Sequence, residues 1–158
     1  MIKIKITDDQ RKRAQELYEF NVLKGSVIEG EGNEVGALGE IIVLDHYGEN
    51  AEYKGDFDYD LIIKGKKVDV KTKKQAMIPL AEHKANIFAY NTEQKCDYYC
   101  FVAIHKSLKN GWILGWKAKD KFYEEATFRK SGEVDTTGRN KGWTFRSDCY
   151  VMTNADLD

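Results

Sequence analysis

The sequence predicts an α/β fold: a single domain over residues 1–158, with a central mixed β-sheet flanked by helices. Three observations support this. Helical spacing dominates the first 48 residues, β-rich runs follow between positions 51 and 116, and a β-rich segment closes the chain. The chain has 158 residues, 42% of them hydrophobic, and one proline, which suits one domain with one core and argues against a disordered linker.

Two longer helices and a short one are expected. Thr7 or Asp8 can cap a first helix running to about Val22. A Gly/Glu-rich loop at 29–34 leads into a second helix, which carries Glu40 and ends near position 48. The short helix passes through residues 122–123.

The predicted strands share β-branched or aromatic residues bounded by turn residues. They are expected at 51–54, about 60–64, about 67–74, 97–105, 112–116 and 149–153. The segment 75–95 shows no clear period and is expected to be irregular, and 131–142 is expected to be a glycine-rich loop.

The segment from Asp60 to Lys71 predicts a hairpin that brings two acids and a lysine together. Side chains alternate along a strand, so Asp69 and Lys71 project to one face, opposite their valine neighbours. A Gly65-Lys66 loop would place Asp60 opposite Lys71, whereas a Lys64-Gly65 loop would place it opposite Asp69. In either register Asp60, Asp69 and Lys71 share a face, whereas a three-residue loop would break that parity unless a bulge restored it.

These residue types fit metal-assisted phosphodiester chemistry. Mg²⁺ prefers oxygen ligands, typically one or two carboxylates completed by water and phosphate oxygens. A nearby lysine can orient a water or offset transition-state charge. Charged residues alternating on a strand are also typical of a solvated face, and that interpretation stays open here.

Glu40 strengthens the metal interpretation. It lies in an otherwise apolar helical run, Gly36-Ala-Leu-Gly-Glu40-Ile-Ile-Val-Leu, at the margin of the predicted buried stripe. A partly buried carboxylate needs a partner, such as a metal or a lysine. Gly36 and Gly39 lower helix propensity, so we expect the sheet or a nucleic-acid strand to approach the helix backbone there. An ordinary polar position on an amphipathic helix remains the alternative for Glu40.

A helix glutamate, an aspartate opening a strand, and Asp69-Val70-Lys71 on the partner strand together resemble the PD-(D/E)XK nuclease superfamily. The resemblance is strongest over residues 34–74. Tyr59 replaces the proline that precedes the first aspartate in the family pattern, and Asp58 rivals Asp60 as that aspartate because residues 56, 58 and 60 are all acidic.

The resemblance implies a restriction-endonuclease-like or Holliday-junction-resolvase-like fold and a Mg²⁺-dependent endo- or exonuclease, in which Mn²⁺ can substitute. Asp60 and Asp69 would bind the metal, with the Val70 carbonyl and Glu40 as further ligands, and Lys71 would position the attacking water. DNA is the expected substrate, with RNA left open. The alternatives are a non-catalytic nucleic-acid-binding module that retains this fold, and a structural protein whose hairpin charges are only solvated.

Charge and cysteine content bear on partners and compartment. The net charge of −1 is not that of a protein that binds nucleic acid by charge alone, but six lysines crowd the hairpin: Lys64, Lys66, Lys67, Lys71, Lys73 and Lys74. Three cysteines without disulfide or zinc spacing favour a reducing compartment. With no signal-like or membrane-spanning stretch, we expect a cytoplasmic protein with no membrane partner. A homodimer, which would suit cleavage of both strands, is left open.

Overall fold

The computed structural model describes residues 1–23, 33–137 and 141–158. Within these residues, helices α1 (Asp8–Leu23), α2 (Asn33–Tyr47) and α3 (Lys119–Glu125) accompany nine strands. The strands are β1 (Ile2–Lys5), β2 (Ala51–Tyr53), β3 (Leu61–Ile63), β4 (Lys66–Gln75), β5 (Lys84–Phe88), β6 (Tyr98–His105), β7 (Asn110–Ala118), β8 (Thr127–Arg129) and β9 (Cys149–Thr153).

The main sheet has six strands in the order β1-β7-β6-β4-β3-β2. It is mixed, because β4 and β6 run parallel while the other neighbours are antiparallel. Strands β5, β9 and β8 form a second, antiparallel sheet. The predicted α/β class with a central mixed sheet is therefore confirmed.

Apolar layers on the two faces of the main sheet hold the fold together. On one face, Ile42 and Val43 of α2 pack with Val68 and Val70 of β4. On the other face, aromatic residues of β6 and α3 form a second cluster with β5 and β9, which includes Tyr99, Phe101, Phe122, Ile87 and Met152. Tyr99 and Phe122 are fully buried, and the burial of each such side chain stabilises the fold by about 2–3 kcal/mol.

The predicted start of the first helix is confirmed, with Thr7 as the cap. The Thr7 hydroxyl accepts a hydrogen bond from the Gln10 N–H at 3.1 Å. In return, the Gln10 side chain accepts one from the Thr7 N–H at 3.1 Å. This reciprocal pair satisfies two backbone donors that the helix itself cannot.

The prediction that residues 75–95 are irregular is wrong in part, because β5 lies within that segment. Ala85 and Ile87 are buried while Asn86 and Phe88 are exposed, so this strand alternates. Only pairing with β9, more than 60 residues later, makes it a strand. The N-terminal strand β1 was also not predicted. Of the loop expected at 29–34, residues 29–32 lie outside the described residues, and the next two belong to α2.

Within the described parts of the chain, no helix combines the length and apolar character needed to cross a membrane. Cys96, Cys100 and Cys149 are buried free thiols.

Candidate metal centre and adjoining cleft

The turn between β3 and β4 decides which predicted register applies. Ile63 pairs with Lys66, so Lys64-Gly65 is the two-residue loop. Lys64 has φ 48° and Gly65 has φ 77°, the left-handed conformations that a type I′ hairpin turn requires. The register that places Asp60 beside Asp69 is therefore confirmed, and the Gly65-Lys66 loop is wrong.

Asp60 lies just before β3 and reaches across to β4 with its side chain. Its backbone N–H donates to the Val68 carbonyl at 3.0 Å. Its carboxylate accepts the Val70 N–H at 2.7 Å. Strand β3 pairs with β4 only as far as Val68, so the pairing ends at Asp60. Beyond Val68, no described strand pairs with β4 on the side that faces β3. We call this the open edge of β4, residues 70–75.

Asp58, the rival for the first acid, serves another purpose. Its carboxylate accepts the backbone N–H of Lys95 at 3.1 Å, and its own N–H donates to Asp56 at 3.2 Å. These bonds fix the loop before β3 against the segment before β6. Asp60, by contrast, interacts electrostatically with Glu40 and Asp69. The geometry thus brings Asp60, rather than Asp58, to the other predicted site residues.

Asp69 and Lys71 project from β4 to the same face, as the alternation predicts. Asp69 is buried, and its Oδ2 lies 2.6 Å from the Lys71 ammonium. Its Oδ1 accepts a hydrogen bond from the Gln94 amide at 2.9 Å. Lys71 in turn donates to the Gln94 side-chain oxygen at 3.1 Å. Gln94 therefore holds the acid and the lysine in one triangle.

Sequence reasoning missed Gln94. It follows a short 3₁₀ turn over Ala89–Glu93 and is itself buried. Its amide also donates to the Phe57 carbonyl at 3.3 Å, which ties it to the loop that leads to Asp60. A lone glutamine 25 residues after Asp69, in a segment without a period, carries no local sequence signal of this role.

Glu40 approaches the same edge from α2, on the opposite face of the sheet. The helix lies unusually close to β4 there, because a Cβ on Gly39 would stand 1.9 Å from the Thr72 hydroxyl oxygen. The expectation that something approaches Gly39 closely is confirmed, and the sheet is what approaches. At Gly36 a Cβ would meet nothing within 4 Å, so the sheet does not explain that glycine.

Burial and neighbouring charges raise the pKa of two of these acids, Glu40 and Asp60. Burial, opposed by a hydrogen bond from Tyr53 and reinforced by the charge of Asp69, raises the pKa of Glu40 from 4.5 to about 7. Burial, followed by the charges of Glu40 and Asp69, raises the pKa of Asp60 well above 3.8. The Val70 N–H and Lys71 oppose that rise in Asp60. Among the described residues, Lys71 is the lysine that faces these three acids, and the cluster favours an additional positive charge.

The oxygen donors of these acids are of the type that a hard cation prefers. Glu40 Oε2 is buried and has no hydrogen-bond partner among the described residues, which is costly for a carboxylate oxygen. Oxygen ligands of this kind suit Mg²⁺ or Mn²⁺, which keep waters in their coordination shell. Within the described residues, no group of three or more His, Cys, Asp or Glu side chains is placed so that it could hold a metal ion. Bonds from Val70, Gln94 and Lys71 engage the carboxylates in this conformation.

A cleft of about 410 Å³ lies beside β4. Gly36 of α2, the β4 segment from Val70 to Lys73 and the β5 residues Asn86 and Phe88 are among the residues that line it. The predicted cluster of six lysines is thus divided. Lys64, Lys66 and Lys67 are exposed at or beside the hairpin turn, Lys71 and Lys73 line the cleft, and Lys74 is exposed further along β4.

Comparison with protein-family models and with curated protein sequences finds no match to this chain.

Proposed function

We propose that the protein is a metal-dependent nuclease that hydrolyses phosphodiester bonds, with DNA as its substrate, on a restriction-endonuclease-like fold of the PD-(D/E)XK type. The main support is the cluster of Glu40, Asp60 and Asp69 at the open edge of β4, where a single lysine compensates three acids. The resemblance of residues 34–74 to that superfamily supplies the choice of reaction and of DNA.

In this proposal Asp60 and Asp69 hold the cation, with Glu40 and the Val70 carbonyl as further ligands. The bound cation would lower the pKa of a coordinated water and offset charge on the scissile phosphate. Lys71 would be released from Asp69 as the cation takes its place, and would then orient the attacking water. Gln94 would act as a positioning residue, because it contacts both Asp69 and Lys71.

The test is a cleavage assay on plasmid DNA, linear duplex, single-stranded DNA and RNA, each with Mg²⁺, with Mn²⁺ and with chelator. We expect metal-dependent cleavage that falls by about 10²-fold or more in Asp69→Asn and Lys71→Ala. Lys66→Ala is the matched control, because Lys66 lies on the same strand but is exposed beside the turn.

The outcomes separate three classes of protein. Nucleic-acid binding without cleavage would favour the non-catalytic binding module. Neither binding nor cleavage would favour a structural role for the hairpin charges. Cleavage that survives both substitutions would refute the assignment of the site, even if the protein is a nuclease.

A further inference from the structure

The cleft beside the candidate metal centre continues into a second one. The second cleft, of about 350 Å³, lies between β4, β5 and the segment around Trp143. Lys73 and Asn86 line both clefts, so the two adjoin. Together they form one groove that begins at Lys71 and ends at Trp143. We call this the β4–β5 groove.

Exposed aromatic rings lie at both ends of the β4–β5 groove. Phe88 lines the first cleft, and Tyr90 stacks on it with ring centroids 5.5 Å apart and planes 12° apart. Tyr90 is 75% exposed and Phe88 41% exposed, so the outer face of the stack is open. Trp143 lines the second cleft and is 48% exposed. Large exposed aromatic rings grouped around a groove are typical of binding surfaces.

Cationic side chains lie between these aromatic ends. Lys73 and Lys74 of β4 line the second cleft, and Lys74 is exposed. The Lys73 ammonium donates to the Lys84 carbonyl at 2.6 Å, and burial lowers the pKa of Lys73 from 10.5 to about 8. An anion in the groove would favour the charged form of Lys73. Lys84 is already paired with the buried Asp135, so its charge is compensated within the protein.

We propose that the β4–β5 groove binds an unpaired nucleic-acid strand, with bases stacked on Tyr90 and Trp143 and phosphates on Lys73 and Lys74. Aromatic platforms with intervening cations are how proteins track single strands without reading their sequence. A duplex keeps its bases stacked on one another and cannot offer them to these rings. The inference rests on the proposed nuclease function and names its substrate: a single strand, or an unpaired end or flap that reaches Lys71.

Fluorescence anisotropy in chelator tests this, because binding is then read without cleavage. The probes are a labelled single-stranded oligonucleotide of about 16 nucleotides and a blunt duplex of the same sequence. We expect the single strand to bind about tenfold more tightly than the duplex. Tyr90→Ala and Trp143→Ala should each weaken single-strand binding about tenfold, and Tyr90→Phe should retain it. Phe20→Ala is the matched control, since Phe20 is an exposed ring on α1, on the other side of the main sheet.

An intrinsic signal gives a second readout. Trp112 is buried and Trp116 half-buried, whereas Trp143 is exposed, so stacking of a base should quench mainly the fluorescence of Trp143. Trp143→Phe should remove that quenching while it keeps most of the affinity. Thermal melts of each variant would verify that the fold is intact.

Two outcomes would overturn the inference: equal affinity for single strand and duplex, or unchanged single-strand affinity in both alanine variants. The proposed nuclease function fails separately. Single-strand binding that depends on Tyr90 but is never accompanied by metal-dependent cleavage would retain the groove and refute the enzyme. Cleavage that depends on Asp69 but is unchanged in the aromatic variants, and equal on single-stranded and duplex DNA, would support the enzyme and refute the groove.

Discussion

Replacing Glu40 with glutamine should stabilise the metal-free protein, and the gain should grow with pH. The pKa of Glu40 is raised from 4.5 to about 7, first by burial. An acid whose pKa is higher in the folded state binds its proton more tightly there. Its contribution to stability is therefore fully present below pH 4.5 and is lost as the pH rises through about 7.

The size of the effect follows from the same two values. Each pH unit of difference corresponds to about 1.4 kcal/mol, so ionising Glu40 in the folded state costs about 3 kcal/mol at alkaline pH. Glutamine keeps a side-chain oxygen for the hydrogen bond with Tyr53. The substitution also removes a negative charge that raises the pKa of Asp60. The loss of that charge should further stabilise the folded protein at alkaline pH.

The assay is urea unfolding in chelator at about pH 5 and about pH 8. The difference in free energy of unfolding between Glu40→Gln and wild type should grow by about 2.5 kcal/mol over that range, because at pH 5 a small part of the effect is already present. Glu49→Gln is the control, because Glu49 is an exposed glutamate just after α2, and its difference from wild type should stay constant.

The same unfolding measurement in Mg²⁺ tests whether Glu40 contributes to a cation site. If Glu40 contributes to a cation site, saturating Mg²⁺ at about 100 times its Kd should stabilise the wild type by about 2.7 kcal/mol at alkaline pH. The Glu40→Gln variant should respond less. Parallel losses of stability in wild type and variant between the two pH values would refute the buried-acid argument.

Two further predictions concern the packing of α2 and the first acid of the site. Gly39→Ala should destabilise the protein by up to about 2 kcal/mol, because the collision of its Cβ with Thr72 costs about 1–3 kcal/mol and the gain in helix propensity returns about 1 kcal/mol. Gly36→Ala meets no such obstacle and should stabilise the protein by up to about 1 kcal/mol. Thermal melts of the two variants measure both effects, and equal effects would contradict the close contact at Gly39. Asp60→Asn should weaken Mn²⁺ binding at least tenfold, whereas Asp58→Asn should change the affinity by no more than about twofold. Calorimetry measures both affinities. A larger loss in Asp58→Asn than in Asp60→Asn would indicate that Asp58, not Asp60, is the first acid of the site.

The sequence could predict the hairpin because its determinants are local. Alternation alone places Asp69 and Lys71 on one face, and a glycine at the turn limits the register to two options. Choosing between those options needs the left-handed backbone at Lys64, which is a non-glycine residue and gives no clear sequence signal.

Non-local contacts set the limit of prediction from the sequence. Strand β5 is stabilised by β9, more than 60 residues away, and Gln94 becomes part of the site only because the chain returns to β4 at that point. Glu40 could be proposed as a fourth member from its apolar surroundings. Its position at the open edge, however, depends on the close fit of α2 against Thr72.

The open edge of β4 has a consequence for solubility. A strand edge that lacks a partner can pair with a strand of another molecule and so start aggregation. Lysines along an exposed strand oppose such pairing, since a second copy would bring like charges together. Lys74 is the exposed lysine of this segment, whereas Lys71 is paired with Asp69 and Lys73 donates to the Lys84 carbonyl. Replacing Lys74 with an apolar residue should therefore lower solubility, whereas glutamine would remove the charge and keep the side chain polar.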